Sequence, residues 1–258
     1  LLEAILQSEE VVWLNPNVKE VVDLDATSLT IKDMEEAEQL WQRFAPFLAK
    51  SFPELRESQG LIESPLRKIN GMKYELDQVF AANIPGDLYL KCDNELSIAG
   101  SVKARGSFFE ILHYAESLAK EAGLIDPHLS YEQFASQRFK DFFSQYTIGV
   151  ASTGNLGLGI GIMSAKLGFT VNVYMSADAK EWKKALLREK GAIVHEFSGD
   201  FSEAIKIGRQ KTQQEPNGYF VDDEDSEHLF LGYSTAAFRL KQQFADQGIK
   251  VDADHPLF

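Results

Sequence analysis

The stretch YTIGVASTGNLGLGIGIMSAKLG, residues 146–168, decides the fold. YTIGVAS reads as a buried strand, short, apolar and β-branched. STGN at 152–155 is a turn of small polar residues, and NLGLGIGIMSAKLG (155–168) reads as a helix despite its glycines. Downstream the pattern repeats. TVNVYM (170–175), AIVHEF (192–197) and GYFVDD (218–223) predict strands. DAKEWKKALLREKG (178–191), with Gly191 at its C′ position, DFSEAIKIGRQKTQ (200–213) and a segment from about Glu227 to Gln247 predict helices. Strands alternating with helices imply right-handed βαβ crossovers and a parallel sheet, hence an α/β fold.

Upstream, residues 1 to about 80 read as helical and acidic. Met34, Ala37, Trp41, Phe44 and Leu48 recur at steps of three and four and mark one apolar helix face. Thr30 can cap its start, and Pro46 predicts a kink or a division. Leu88, Leu90 and Cys92 alternate with Tyr89 and Lys91, which predicts a strand. A helix of roughly twenty residues should begin near Val102 and stop at Gly123. Residues 126–144 predict a polar and aromatic connection, partly helical. The aromatic residues of the first 80 positions are expected in the core rather than as ligand-stacking groups.

Two loops carry candidate chemistry. STGNLG (152–157) comes after a strand and opens a helix, the place where open parallel sheets bind ligands on free helix N–H groups. Ser152 and Thr153 offer hydroxyls to a carboxylate or phosphate, and Asn155 offers a donor and an acceptor. Gly154 and Gly157 let backbone approach a ligand closely. A helix cap with glycines for tight helix–sheet packing would leave the same trace. Three glycines inside one helix, Gly157, Gly159 and Gly161, each cost up to about 1 kcal/mol, so something must come close there. SIAGSVKARG (97–106) sets Lys103 at a helix start, where a cation opposes the helix dipole. An ordinary surface lysine is one reading. A lysine nucleophile that forms a Schiff base is the other, with small neighbours leaving room for a flat ring. A lysine loop and a Ser/Thr/Gly/Asn loop together suit pyridoxal phosphate.

Composition bounds the rest. The 258 residues suffice for a large core and for two lobes, at 44% hydrophobic and 25% charged. With 39 acidic against 26 basic residues, the net charge of −13 argues against nucleic acid or an anionic membrane as partner. No apolar run approaches the length of a membrane-spanning helix, and LLEAILQSEE does not read as a signal peptide. The single cysteine, Cys92, suits a reducing compartment such as the cytoplasm and reads as a buried structural thiol. Five scattered histidines suggest no metal site.

SIAGSVKARG and STGNLG resemble the two signature loops of fold-type II pyridoxal-phosphate enzymes. RFAPFLAKSFPE (43–54), MSADAKEWKKALLREKGA (175–192) and DDEDSEHLFLGYSTA (222–236) resemble the bacterial D-serine dehydratases within that family. The resemblance implies a tryptophan-synthase-β-like fold, two lobes of mostly parallel sheet flanked by helices. It divides the chain into residues 1–105 of a large cofactor domain, a small domain at 106–235 with the STGNLG loop, and a return into the large domain at 236–258. It implies elimination of D-serine to pyruvate and ammonia by a cytoplasmic monomer, and a monovalent cation as a second cofactor. Lys103 would carry the Schiff base and later shuttle a proton. Asn155 would hydrogen-bond the ring O3′, Ser152, Thr153 and Gly154 would face the substrate carboxylate, and Gly157 would allow close ring approach. Arg105 would be structural or electrostatic. A lyase acting on threonine or L-serine, or an inactive truncated α/β ligand-binding module, remain the alternatives. The family's glycine-rich phosphate loop and its hydroxyl residue at the pyridine nitrogen are expected beyond Phe258, since no GGG occurs.

Overall fold

A computed structural model describes residues 1–14, 16, 29–198 and 201–251. Expected helix at 17–28 and the tail at 252–258 lie outside the described residues. The chain forms two compact units, residues 1–33 and 34–258. The first contains a five-residue helix, α1 (Leu2–Leu6). At its end, Thr30 donates both its N–H and its hydroxyl to the Asp33 carboxylate, each at 2.7 Å. Asp33, not the Thr30 side chain, therefore does the capping, as in half of a capping box.

The next helix, α2 (Ile31–Ser51), buries Ala37, Leu40, Trp41, Phe44, Phe47 and Leu48. It runs unbroken through Pro46, contrary to the expected division. Phe44, Phe47 and Leu48 on either side of the proline are fully buried. Their packing outweighs the roughly 3 kcal/mol a mid-helix proline costs.

β1 (Leu66–Lys68) and β2 (Tyr89–Lys91) pair antiparallel, joined by α3 (Asn70–Phe80). So the sheet content is not all parallel, and β1 interrupts the expected helical stretch. α4 (Lys103–Glu121) starts one residue after Val102, and α5 (Gln137–Phe143) lies in the aromatic connection. There Phe134 meets Phe44 at 4.7 Å and Phe139 at 4.5 Å between ring centroids, so Phe44 is core as expected and the aromatics of the connection join it.

The α/β part matches the alternation element for element. It comprises β3 (Thr147–Ala151), α6 (Asn155–Leu167), β4 (Thr170–Ser176), α7 (Glu181–Glu189), β5 (Ile193–Phe197), α8 (Phe201–Gln214), β6 (Gly218–Val221) and α9 (Glu227–Asp246). The four strands are parallel in the order β5-β4-β3-β6, with Val150 level with Val173 on one side and Val221 on the other. Helices cover both faces. A Cβ on Gly161 of α6 would lie 3.6 Å from Val173, and one on Gly208 of α8 would lie 2.7 Å from the next residue, Tyr174. Successive strand residues point to opposite faces, so α6 and α8 lie on opposite sides.

The chain steps outward from β3 to β4 to β5, then returns through α8 to place β6 on the other side of β3. The direction of winding thus reverses between β3 and β6. In open α/β sheets that reversal leaves a crevice at the carboxyl ends of the two strands.

Candidate active site

Both expected loops come to this crevice. At the end of β3, Ser152 donates its N–H to the Tyr174 carbonyl at 3.0 Å, and its Oγ accepts from the Gly154 N–H at 3.2 Å. This turn aims the chain into α6, whose first residue is Asn155 and whose N-terminus no side chain caps. The Asn155 and Thr153 side chains make no hydrogen bonds among the described residues. A Cβ on Gly154 would meet nothing closer than the Ser152 hydroxyl at 3.8 Å, so there is open space beside it. The turn thus gathers helix N–H donors, two hydroxyls and an amide at the start of α6, the donor set that an anionic or carbonyl ligand requires.

The glycines of α6 have separate explanations. A Cβ on Gly157 would lie 2.9 Å from the Ser152 carbonyl oxygen, so glycine lets the helix start fold back on the strand end. Gly159 faces Ser107 of α4 (2.0 Å to Oγ), and Gly161 faces Leu187 of α7 (2.4 Å). For Gly159 and Gly161, what comes close is another helix.

That contact also brings the two loops together. Ser107 lies one turn into α4 and returns its hydroxyl to the Lys103 carbonyl at 2.7 Å. Gly159 lies one turn into α6. Packing one on the other sets the first turn of α4, headed by Lys103, beside the first turn of α6, headed by Asn155. Lys103 Nζ reaches the end of β6, 3.8 Å from the Asp223 carboxylate, with its side chain 38% exposed. It lies 5.3 Å from the centroid of the Tyr233 ring on α9. The amine is therefore reachable, and it stands at the carboxyl edge of the strand next to β3.

The position of Lys103 is fixed by Arg105, two residues on. Its guanidinium turns away from the crevice and is almost fully buried. It donates to Glu63 at 2.6 and 3.2 Å, to Asp93 at 2.8 and 3.3 Å and to Ser64 Oγ at 3.3 Å. Lys91 and Arg239 approach the same Glu63, at 2.7 and 3.6 Å. Burial alone would push Glu63 up, but hydrogen bonds from Arg105 and Lys91 overcome it and hold the carboxyl at about 2. Burial likewise opposes charge on Arg105, and its carboxylate partners nevertheless raise it. This cluster ties the start of α4 to the β1–β2 hairpin and to α9.

A second network does the same for α9. Buried Glu110 of α4 accepts from the Tyr219 hydroxyl at 2.5 Å and from the Ser226 hydroxyl. Ser226 in turn caps α9 by accepting the Leu229 N–H at 3.0 Å.

Sequence reading missed Asp223, Glu63 and Tyr233. Asp223 had a usable signal. Two acids, Asp222 and Asp223, close the predicted strand at the ligand-binding edge, and Asp222 is taken by Arg209 of α8, leaving Asp223 to face Lys103. Among the described residues no group of three or more metal-ligating side chains occurs, and no helix is long and apolar enough to cross a membrane.

A family profile described as pyridoxal-phosphate dependent enzyme matches residues 58–254. The chain belongs to that family. A probable D-serine dehydratase from Geobacillus stearothermophilus is 51% identical over 259 aligned positions, covering all of this chain and 56% of the relative. One from Halalkalibacterium halodurans is likewise 51% identical, with 59% of its length covered. The chain thus spans less than three fifths of these curated relatives. The crystal structure of diaminopropionate ammonia lyase from Escherichia coli in complex with D-serine superposes with a TM-score of 0.63. It is 19% identical, over 85% of this chain and 50% of that one, a likeness of fold.

As a member of this family, the chain has two features that fit its cofactor: a reachable amine at Lys103, and across the β3–β6 crevice an uncapped helix start with an unpaired amide at Asn155.

Proposed function

We propose that the chain carries the lysine-bearing part of a pyridoxal-phosphate-dependent lyase that converts D-serine to pyruvate and ammonia. The observation that carries this reading is the convergence of Lys103 and the STGN turn on one crevice. The 51% identity to probable D-serine dehydratases supports the choice of substrate. Bound pyridoxal phosphate supplies an electron sink for the pair left behind when the Cα–H bond breaks.

The chain's own residues do the rest. Lys103 would hold the cofactor by its amine, and the same nitrogen, when free, would take the Cα proton of the substrate. Asp223, 3.8 Å away, orients that nitrogen and balances its charge when protonated. Asn155 would hold the cofactor ring through its side-chain amide. Ser152, Thr153 and the free N–H groups beside Gly154 bind the substrate carboxylate at the α6 N-terminus, where the helix dipole favours an anion. Gly157 lets that helix start lie against the end of β3. The protein works on a small molecule, as a cytoplasmic monomer.

The test is keto-acid release. Pyruvate should form from D-serine faster than from L-serine, and faster than 2-ketobutyrate forms from D-threonine. Borohydride should fix a pyridoxyl group on Lys103, read by peptide mass spectrometry. A Lys103→Ala variant that still fixes the cofactor and releases pyruvate would remove Lys103 from this role.

A further inference from the structure

Gly106 closes the SIAGSVKARG stretch, yet the chemistry above gives it no part. What it meets is Tyr233. A Cβ on Gly106 would lie 2.5 Å from Tyr233 Cζ and 2.7 and 2.8 Å from its two Cε atoms, so only glycine lets the ring lie against α4. The helix carrying that ring is held equally closely. A Cβ on Gly232 would lie 2.5 Å from the Arg105 carbonyl oxygen and 2.9 Å from the Gly106 Cα. Arg105 is locked by Glu63 and Asp93, and the start of α9 is pinned by Ser226 and Glu110. The ring is therefore fixed on both sides, with Lys103 Nζ 5.3 Å from its centroid.

The phenol is unusual too. Its hydroxyl oxygen is buried and has no hydrogen-bond partner among the described residues. Burial, with smaller contributions from the Asp223 and Glu110 carboxylates, pushes its ionisation up, so the ring stays neutral. What it offers Lys103 is the electron-rich face of an aromatic ring, which attracts an ammonium group within about 6 Å.

We propose that Tyr233 is the positioning residue of Lys103: its ring, seated on Gly106, holds the four-carbon side chain in the direction from which the amine meets pyridoxal phosphate. This rests on the reading of Lys103 as the cofactor-bearing amine. A lysine side chain left free samples many rotamers, and Asp223 lies 48% exposed at 3.8 Å, a contact that solvent weakens. The half-buried ring, wedged against Gly106, is the rigid half of the pair that aims the nitrogen.

The experiment uses the protein reconstituted with pyridoxal 5′-phosphate and the variants Tyr233→Phe, Tyr233→Leu and Tyr233→Met. Two readouts stand apart from turnover. One is the visible circular-dichroism band of the bound cofactor, which reports how asymmetrically it is held. The other is the rate at which borohydride fixes it to Lys103. Tyr233→Phe keeps the ring and should leave both unchanged. Tyr233→Leu should shrink the band and slow fixing by about two- to fivefold, the worth of one such contact. Tyr233→Met, which fills an irregular gap, gives the same reading if the leucine variant does not fold. In either, kcat should fall more than KM for D-serine changes. An unchanged band and rate in the Leu or Met variant, with the adduct present on Lys103 in the parent, overturns this inference and leaves the functional reading standing. Equal losses in Tyr233→Phe assign the effect to the hydroxyl and overturn the role of the ring. Absence of any adduct on Lys103 in the parent overturns the functional reading, and this inference with it.

Discussion

Replacing Arg105 by methionine tests whether the start of α4 is held by charge. The guanidinium is almost fully buried and makes five hydrogen bonds, four of them to Glu63 and Asp93. Methionine fills the volume but leaves both carboxylates facing an apolar side chain. Breaking a buried pair from one side costs about 3–5 kcal/mol in general. Lys91 at 2.7 Å and Arg239 at 3.6 Å still serve Glu63, so the low end, about 3 kcal/mol, is expected. In the parent, Glu63 is held at about 2 and Asp93 is also lowered, burial being outweighed for each by hydrogen bonds led by Arg105. Both groups therefore stabilise the fold above their ordinary values, and that contribution is lost as pH falls toward 2. In the variant the Arg105 bonds are gone, and burial, still opposed by Lys91 at Glu63 and by Ser64 at Asp93, moves both carboxyls back toward the neutral acid. The deficit against the parent should thus be largest at neutral pH and shrink by more than half near pH 3. Urea denaturation followed by the fluorescence of buried Trp41, at pH 7 and pH 3, measures it. A cost under about 1 kcal/mol at pH 7, or one that does not change with pH, refutes the assignment of this cluster as the anchor of α4.

Three other outcomes arise from the packing and the titrating groups. Gly159→Ala should destabilise by about 1–3 kcal/mol, because its Cβ would lie 2.0 Å from the Ser107 hydroxyl; adding Ser107→Gly should recover most of the loss, and failure to recover it would mean α4 and α6 do not meet there. His113 on α4 is lowered to about 4 by burial and by His228, whose ring lies 3.9 Å away, so its contribution is present above pH 6.5 and lost between 6.5 and about 4. His113→Phe should remove roughly 1 kcal/mol of pH-dependent stability across that window, after allowance for solvent at a half-buried ring, as read from melts at pH 7 and pH 5. Asp223→Asn should lower keto-acid release while leaving thermal stability within about 0.5 kcal/mol, since its carboxylate is exposed and its pairing distance is long.

The parallel sheet was legible because each βαβ unit writes its own local pattern: β-branched strand, small-residue turn, amphipathic helix, glycine stop. Gly191, at φ +94 after α7, is one such stop. Lys103 and the STGN turn were legible for a similar reason, being short segments whose residue types contradict their surroundings. Tyr233 was not. In sequence it is one more aromatic on a helix face, and its role depends on Gly106, which reads only as a glycine in the first turn of a predicted helix. Arg105 and Glu63 were hidden in the same way. They lie 42 residues apart and meet only because α4 packs beside the β1–β2 hairpin. Pro46 misled in the other direction, since it does not divide the helix. Its local rule is sound, but three fully buried side chains beside it impose the helix.

The distribution of these hits and misses reflects how the crevice is built. The groups proposed to touch ligand sit on turns that open helices, where backbone geometry demands small or polar residues and so leaves a mark in the sequence. The groups that aim them sit in helix interiors, where any side chain of suitable shape leaves the same apolar periodicity. Lys103 is defined by its turn but directed by Arg105 below it, Asp223 at the end of β6 and Tyr233 across α9. An amine on a flexible stem reacts productively only when its direction is fixed before the substrate arrives, since each unfixed rotamer dilutes the reactive one. A buried charge cluster fixes the backbone of that turn without placing a competing cation in the crevice, because the guanidinium spends all its charge on Glu63 and Asp93. That separation explains why two basic residues, two positions apart in SIAGSVKARG, have opposite surroundings: one sealed among carboxylates, the other open at the edge of the sheet.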